Sequence, residues 1–215
     1  MKTAEIINVG TELLLGDIVN TDASYVARRL AEAGISVYRQ VVVGDNASRL
    51  AAALAESFAR ASLVILTGGL GPTCDDLTKE TVAAYFGLPL VRHEASERAM
   101  HEYLAGRPCT PNNEKQCLVP AGADVFPNAC GTAPGMTVER EGKTAILLPG
   151  PPSELVPMFE ESVVPYLARF TGGVFYSLNL HLAGIGESAA EDALRDLMES
   201  SENPTIAPYA GEHEV

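Results

Sequence analysis

Two kinds of apolar pattern alternate along the first half of the chain. Ala4 to Val9 is a short, dense apolar run that predicts a buried strand. Thr21 to Ala33 predicts a helix, with Thr21 or Asp22 as N-cap and Gly34 ending it. Val37 to Val43 predicts a second strand. Asn46 to Ala61 predicts a second helix, with Leu50, Leu54 and Phe58 on one stripe at i, i+4 and i+8. Leu63 to Thr67 predicts a third strand and Leu77 to Phe86 a third helix. Strands alternating with helices predict an α/β fold whose mostly parallel, doubly wound sheet is covered on both faces.

After Gly87 the pattern is less regular. Glu94 to Leu104 predicts a helix. Residues 106–135, rich in Pro, Gly, Asn and Cys, predict ordered loop around a short helix. Met136–Arg140 and Lys143–Leu148 predict a hairpin around Glu141-Gly142. Pro152 to Phe170 predicts a helix, with Pro152 in the first turn, where proline is tolerated, and Pro165 bending or interrupting it. The first domain is expected to span 1–171, with Thr171-Gly172-Gly173 as the boundary. Residues 174–215 read as the start of a small α+β second domain: a strand at Val174–Leu182, a helix at Glu187–Ser200 and a strand beginning at Thr205-Ile206-Ala207. About 40 residues of β-α-β cannot bury a core of their own. The segment is therefore expected to be truncated, or to pack on the first domain.

The chemistry concentrates in TGGLGPTCDD, residues 67–76. Gly68, Gly69 and Gly71, with Pro72 and Thr73, form a strand-to-helix loop with open backbone amides. Such a loop is a ready anion site. Asp75 and Asp76 end it, and carboxylates repel phosphate. Both fit one site when a divalent cation lies between them. The alternative is a tight turn with one Asp capping the next helix. No Gly-Lys-Ser/Thr follows, so the loop is not a P-loop.

In a doubly wound sheet, ligands bind along the carboxyl edge of the strands. NVGTELLLGDIVNTD (8–22) leaves the first strand there, and Gly44-Asp45-Asn46 the second. Glu12, just after Gly10, is a candidate metal ligand or water-orienting group, or else a solvated loop carboxylate. Asp45 reaches the same edge, with a turn or cap role as the alternative. Asn20 and Thr21 read equally well as a helix cap. Lys115 in NNEKQ is a candidate cation for phosphate, or merely solvated. GTAPG, with Gly131, Thr132 and Gly135, and LPGPPSE, with Gly150 and Ser153, are loops of controlled backbone shape. Ser153 and Glu154 cap the following helix or touch ligand.

Composition narrows the classes. The 215 residues are 47% hydrophobic, lack Trp and carry a formal charge of −13. That charge argues against nucleic acid as a partner, since phosphate neutralisation needs clustered Lys and Arg. No apolar run approaches the ~20 residues that span a bilayer, so no membrane partner is expected. Cys74, Cys109, Cys117 and Cys130 form no C-x-x-C pair; zinc is not expected, and reduced thiols in a cytoplasmic protein are.

TGGLGPTCDD, with GTELLLGDIVNTD before it and KQ, GTAPG and LPGPPSE after it, closely resembles the CinA family (competence/damage-inducible protein A). The first ~170 residues resemble its molybdopterin-binding-like domain, a three-layer α/β/α fold shared with the MogA, MoaB and MoeA proteins. GIGES (184–188) and NPTIAPY (203–209) resemble the start of that family's second domain. The resemblance implies a metal-dependent pyrophosphatase acting on ADP-ribose, giving AMP and ribose 5-phosphate, with Mg or Co as the ion. Together with loop position, the resemblance gives Asp75 and Asp76 as metal ligands, Glu12 or Asp45 as base, and Lys115 on the leaving phosphate. It also implies importance for the positions of Asp76 and Asp45. Thr11 stands where the family loop often has Asp, and Cys74 where many members have Ser. Relatives of this fold form dimers or trimers, so a homo-oligomer is expected, a dimer first. The alternative function is a pterin- or nucleotide-binding or transferase domain of molybdenum cofactor synthesis. No amidase activity is expected in this chain.

Overall fold

The structure is a computed structural model that describes residues 3–170 and 178–208. The chain divides into two compact units, Met1–Phe175 and Tyr176–Val215. The first contains β1 (Thr3–Val9), α1 (Thr11–Leu15), α2 (Thr21–Glu32), β2 (Ser36–Val43), α3 (Ala47–Phe58), β3 (Leu63–Thr67) and α4 (Thr78–Phe86). Then come β4 (Leu90–Arg92), α5 (Glu94–Leu104), α6 (Pro111–Gln116), β5 (Leu118–Pro120), β6 (Asp124–Phe126), β7 (Gly135–Arg140), β8 (Lys143–Leu148) and α7 (Pro152–Met158). A π-helical turn, Phe159–Val163, leads from α7 into α8 (Val164–Leu167).

Six strands form one sheet in the order β2-β1-β3-β8-β7-β6. β2, β1, β3 and β8 are mutually parallel, and β7 and β6 add antiparallel. The central strands are buried on both faces, so they read as continuous apolar runs. In β3, Val64 and Leu66 enter the core under α3 and α4, whereas Leu63 and Ile65 enter the core under α2 and α7. β8 repeats this, with Ala145 and Leu147 on one face and Ile146 and Leu148 on the other. Two cores on two faces make the three-layer α/β/α arrangement expected from the sequence. Glu5 is the buried charge in β1, held by two parallel hydrogen bonds from Arg60, at 2.7 and 2.9 Å.

The hairpin prediction holds: Arg140 pairs with Lys143, and Glu141 and Gly142 turn with φ of 53° and 76°, as a two-residue turn of this kind requires. Other boundaries differ. Of the cap candidates Asn20, Thr21 and Asp22, Asn20 caps α2 by accepting from the Ala23 amide at 3.0 Å. Asn46 caps α3, which stops at Phe58. α1 is a helix within what the sequence predicts as loop. β4 and β5 pair in a small separate sheet that the pattern does not announce. The predicted helix 152–170 instead passes through the π-helical turn just before Pro165, where the ring and the absent N–H disfavour ordinary helix pairing.

The second unit contains α9 (Glu187–Ser200), as predicted. Residues 178–182 and 205–208 are not strand. The predicted Val174–Phe175–Tyr176–Ser177 part of a strand, and the 171–173 boundary, lie outside the described residues. No helix among the described residues is long and apolar enough to cross a membrane.

Candidate functional site

The loops that follow β1, β2, β3 and β8 leave the parallel strands at one edge, where they enclose a cleft of about 550 Å³. The sheet order makes this inevitable, since these four strands are parallel neighbours. Gly10, Glu12, Asn20 and Asp22 line one part, Asp45 another. Gly68, Gly69, Gly71, Pro72, Thr73, Asp75 and Asp76 line a third, and Gly150 and Glu154 a fourth. Gln116, Thr132 and Ala133 also line it. The sequence-predicted array of Glu12, Asp45 and the 67–76 loop is therefore brought together.

The glycine loop has a specific shape. Gly68 and Gly69 take φ of 87° and 68° in succession, a left-handed pair that only glycine adopts without strain. A Cβ on Gly68 would collide with the Val9 carbonyl oxygen, and one on Gly69 with the Thr78 hydroxyl. The Gly68 amide donates to Leu148 O at 3.0 Å, continuing the β3–β8 ladder by one rung. Gly68 is thus not a free phosphate donor, nor is Gly10, whose amide donates to Val43 O at 2.9 Å. The amides of Gly69, Leu70 and Gly71 have no protein acceptor among the described residues.

Neither Asp75 nor Asp76 caps α4, whose N-cap is Leu77 with no side-chain bond. Asp76 Oδ2 accepts from the Thr73 amide at 2.8 Å and lies 2.5 Å from the Thr73 hydroxyl. The same hydroxyl contacts Asp75, and that contact lowers the Asp75 pKa. Both carboxylates are exposed or half-exposed on the cleft wall. Among the described residues no three His, Cys, Asp or Glu side chains cluster into a protein-only metal cage. A magnesium-type ion does not need one, because it is held by one or two carboxylates together with waters and substrate phosphate oxygens. The Asp75–Asp76 pair fits that mode.

Lys115 does not line the cleft. Its ammonium donates to Thr73 O at 3.0 Å and to Asp76 O, and lies 3.7 Å from Glu80. It braces the loop from behind. The buried Lys79 braces Lys115 in turn, donating to its carbonyl at 2.5 Å. Asp45 accepts from the amide and the hydroxyl of Thr11, both at 2.8 Å. It caps α1 from outside, which Gly10 at the N-cap cannot do.

Asp22 stands out though the sequence marks it only as a cap. It sits in the first turn of α2, half-buried on the cleft wall. Burial pushes its pKa up to about 6. The sequence signal for it is its place two residues after Asn20 in the 8–22 loop. Glu154 likewise lines the cleft; burial raises its pKa while Asn128, donating at 2.6 Å, opposes that. Ser153 is exposed, does not line the cleft and makes no cap, since Pro151 holds the N-cap position. Gly135 is also away from it: it starts β7, where a Cβ would strike Met158 Sδ. Gly131 borders a neighbouring recess instead. The four cysteines are free thiols.

Residues 5–169 match a family model described as a probable molybdopterin binding domain, and residues 177–215 match the damage-inducible protein CinA KH domain. A CinA-like protein of Dictyoglomus turgidum is 54% identical over 213 residues, which are 98% of this chain and 52% of that protein. One of Kosmotoga olearia is 52% identical over 214 residues, 99% and 52% of the respective chains. The chain thus spans about half the length of these curated relatives. The crystal structure of CinA from Thermoplasma acidophilum aligns with a TM-score of 0.71 at 33% identity, covering 76% of this chain and 98% of that one. MoaB from Thermus thermophilus shares the fold, at TM-score 0.54 and 19% identity over 82% of this chain and 100% of that one. The chain belongs to the CinA family, with a molybdopterin-binding-type α/β domain followed by residues that match that family's KH domain.

Proposed function

We propose that this chain hydrolyses a nucleotide pyrophosphate, with ADP-ribose as substrate and AMP and ribose 5-phosphate as products. The observation that carries the reading is the cleft itself. Free amides at Gly69, Leu70 and Gly71 share it with Glu12, Asp22, Asp75 and Asp76. Amides suit a phosphate and carboxylates do not, unless some are reserved for a divalent ion and others for proton transfer.

Asp75 and Asp76 would hold the ion. When bound it supplies charge neutralisation and an acidified water. The loop amides orient the diphosphate and favour the charge that develops on its oxygens. Asp22 accepts the proton of the attacking water, because a base works best with a pKa near the working pH. Glu12 flanks the same wall on α1, whose position Asp45 fixes through Thr11. Lys115 acts on the backbone of the loop rather than on the leaving phosphate.

Asp76→Asn keeps an acceptor for Thr73 while removing the charge. Release of AMP from ADP-ribose with added Mg²⁺ or Co²⁺ should fall at least 100-fold; unchanged turnover defeats the mechanism. A second reading, ligation of molybdopterin or transfer of a nucleotide to it, is supported by the family model's description. Calorimetry with molybdopterin against ADP-ribose separates the two.

A further inference from the structure

A second recess of about 210 Å³ lies beside the main cleft, and Thr132 lines both. The GTAPG segment is the partition: Ala133 faces the cleft, whereas Gly131 and Pro134 face the recess. The partition is built rather than incidental. Asn128, on the recess side, donates to Glu154, on the cleft side, at 2.6 Å and to Ala133 O at 2.8 Å. A Cβ on Gly131 would meet the Glu154 carboxylate, which would have to shift.

The recess is lined mostly by apolar groups, among them Ala99, Met100, Val125 and Pro127. Ligand sites have this character, apolar walls with a few placed polar atoms. Its volume is below the roughly 300–1,000 Å³ that encloses a drug-sized ligand, so it houses one ring system of a larger molecule. Asn128 has no donor to spare, since both Nδ2 hydrogens go to Ala133 and Glu154, and its Oδ1 accepts from the Cys130 amide at 3.0 Å. His93 does. Its Nδ1 accepts from the Ser96 amide at 3.3 Å and lies 2.7 Å from the Ser96 hydroxyl. That network assigns the proton to Nε2, which has no protein partner among the described residues and is a donor for a ring nitrogen or carbonyl.

We infer that this recess is the base subsite of the nucleotide whose phosphates lie at the glycine loop. It takes a bicyclic heteroaromatic ring, with Thr132 on the wall shared with the cleft and His93 reading the ring edge. The inference rests on the nucleotide-pyrophosphate reading and adds to it a reason for substrate choice.

Ala99 is exposed on α5, so Ala99→Phe fills the recess without entering a core. The test compares ADP-ribose with ribose 5-diphosphate, which has the phosphoanhydride but no base. The ratio of kcat/KM for ADP-ribose to that for ribose 5-diphosphate should fall at least tenfold in A99F. An unchanged ratio overturns the subsite. His93→Asn keeps the cap of α5 and removes the Nε2 donor; the same ratio should fall about threefold to tenfold, and an unchanged one removes His93 from the subsite. If the wild-type chain turns over neither compound, the hydrolase reading fails. The subsite then stands or falls on calorimetry with AMP: A99F should bind it at least tenfold more weakly than wild type. Equal affinities, or no binding by wild type, overturn it.

Discussion

Asp45 holds Thr11 across 34 residues of chain, one carboxylate oxygen accepting from both its amide and its hydroxyl at 2.8 Å. The contact joins the end of β2 to the start of α1. It makes Asp45 a positioning residue for Glu12, one residue further on. Asp45→Ala is expected to lower kcat/KM for ADP-ribose at least tenfold. Stability should change by no more than about 1 kcal/mol, because the pair is exposed. Thr11→Ala, which keeps the amide bond, should lose less than D45A, and a double variant that loses no more than D45A would show that the two act as a unit.

Gly68→Ala places a methyl group against the Val9 carbonyl in a left-handed backbone. Neither the flanking strands nor the loop can move away without breaking the sheet edge. Chemical denaturation should show a loss of at least about 2 kcal/mol. Gly142→Ala, with positive φ but open space around it, should lose only about 1 kcal/mol. The difference between the two measures the clash.

Asp22 gives a pH signature. Burial raises its folded pKa to about 6, above the unfolded value near 4. Its contribution to stability is therefore fully present below about pH 4 and is lost as pH rises through 6. Asp22 is half exposed to water, so the effect should be about 1 kcal/mol rather than the full shift. Asp22→Asn should abolish that slope and raise stability at pH 7. In the enzyme assay, the wild-type rate should rise through about pH 6. D22N should lose that limb, whereas a merely structural role would leave it in place.

Arg60 keeps Glu5 ionised in a buried position, its two hydrogen bonds holding the carboxyl pKa below the usual range. Arg60→Ala strands that charge in the sheet. At pH 7 the variant should be less stable in chemical denaturation, though by less than a fully buried pair would lose, because Arg60 is partly exposed. Glu5 contributes stability above its unfolded pKa and loses it as pH falls through the folded one. The gap between variant and wild type should therefore narrow below about pH 4.

Much of the sheet was legible because its central strands follow simple rules. Leu63–Thr67 and Lys143–Leu148 match their predicted limits, since both are apolar runs that fill two cores at once. Parallel order then put the loops of Gly10, Asp45 and Gly68 at one edge. The hidden parts depend on long-range partners. α1 buries none of its residues and is capped by Asp45, far away in sequence, so no local pattern marks it. β4 and β5 are three residues each, too short to show a period. Lys115 looked like a phosphate ligand by charge alone; its actual partners, the carbonyls of Thr73 and Asp76, lie about 40 residues earlier. Asp22 was hidden by chemistry that its neighbours also satisfy, since Asn, Thr and Asp all cap helices.

The Gly68 amide, as the last rung between β3 and β8, also fixes how fast a ligand can be captured. A loop whose first residue belongs to the sheet cannot swing open without unzipping the sheet's end, so its donors stand ready before a ligand arrives. Association should then be set by diffusion and by the repulsion between a strongly negative protein and a negative nucleotide, not by a gating step. Raising the ionic strength should speed capture, opposite to the usual behaviour of nucleotide-binding proteins with basic clefts.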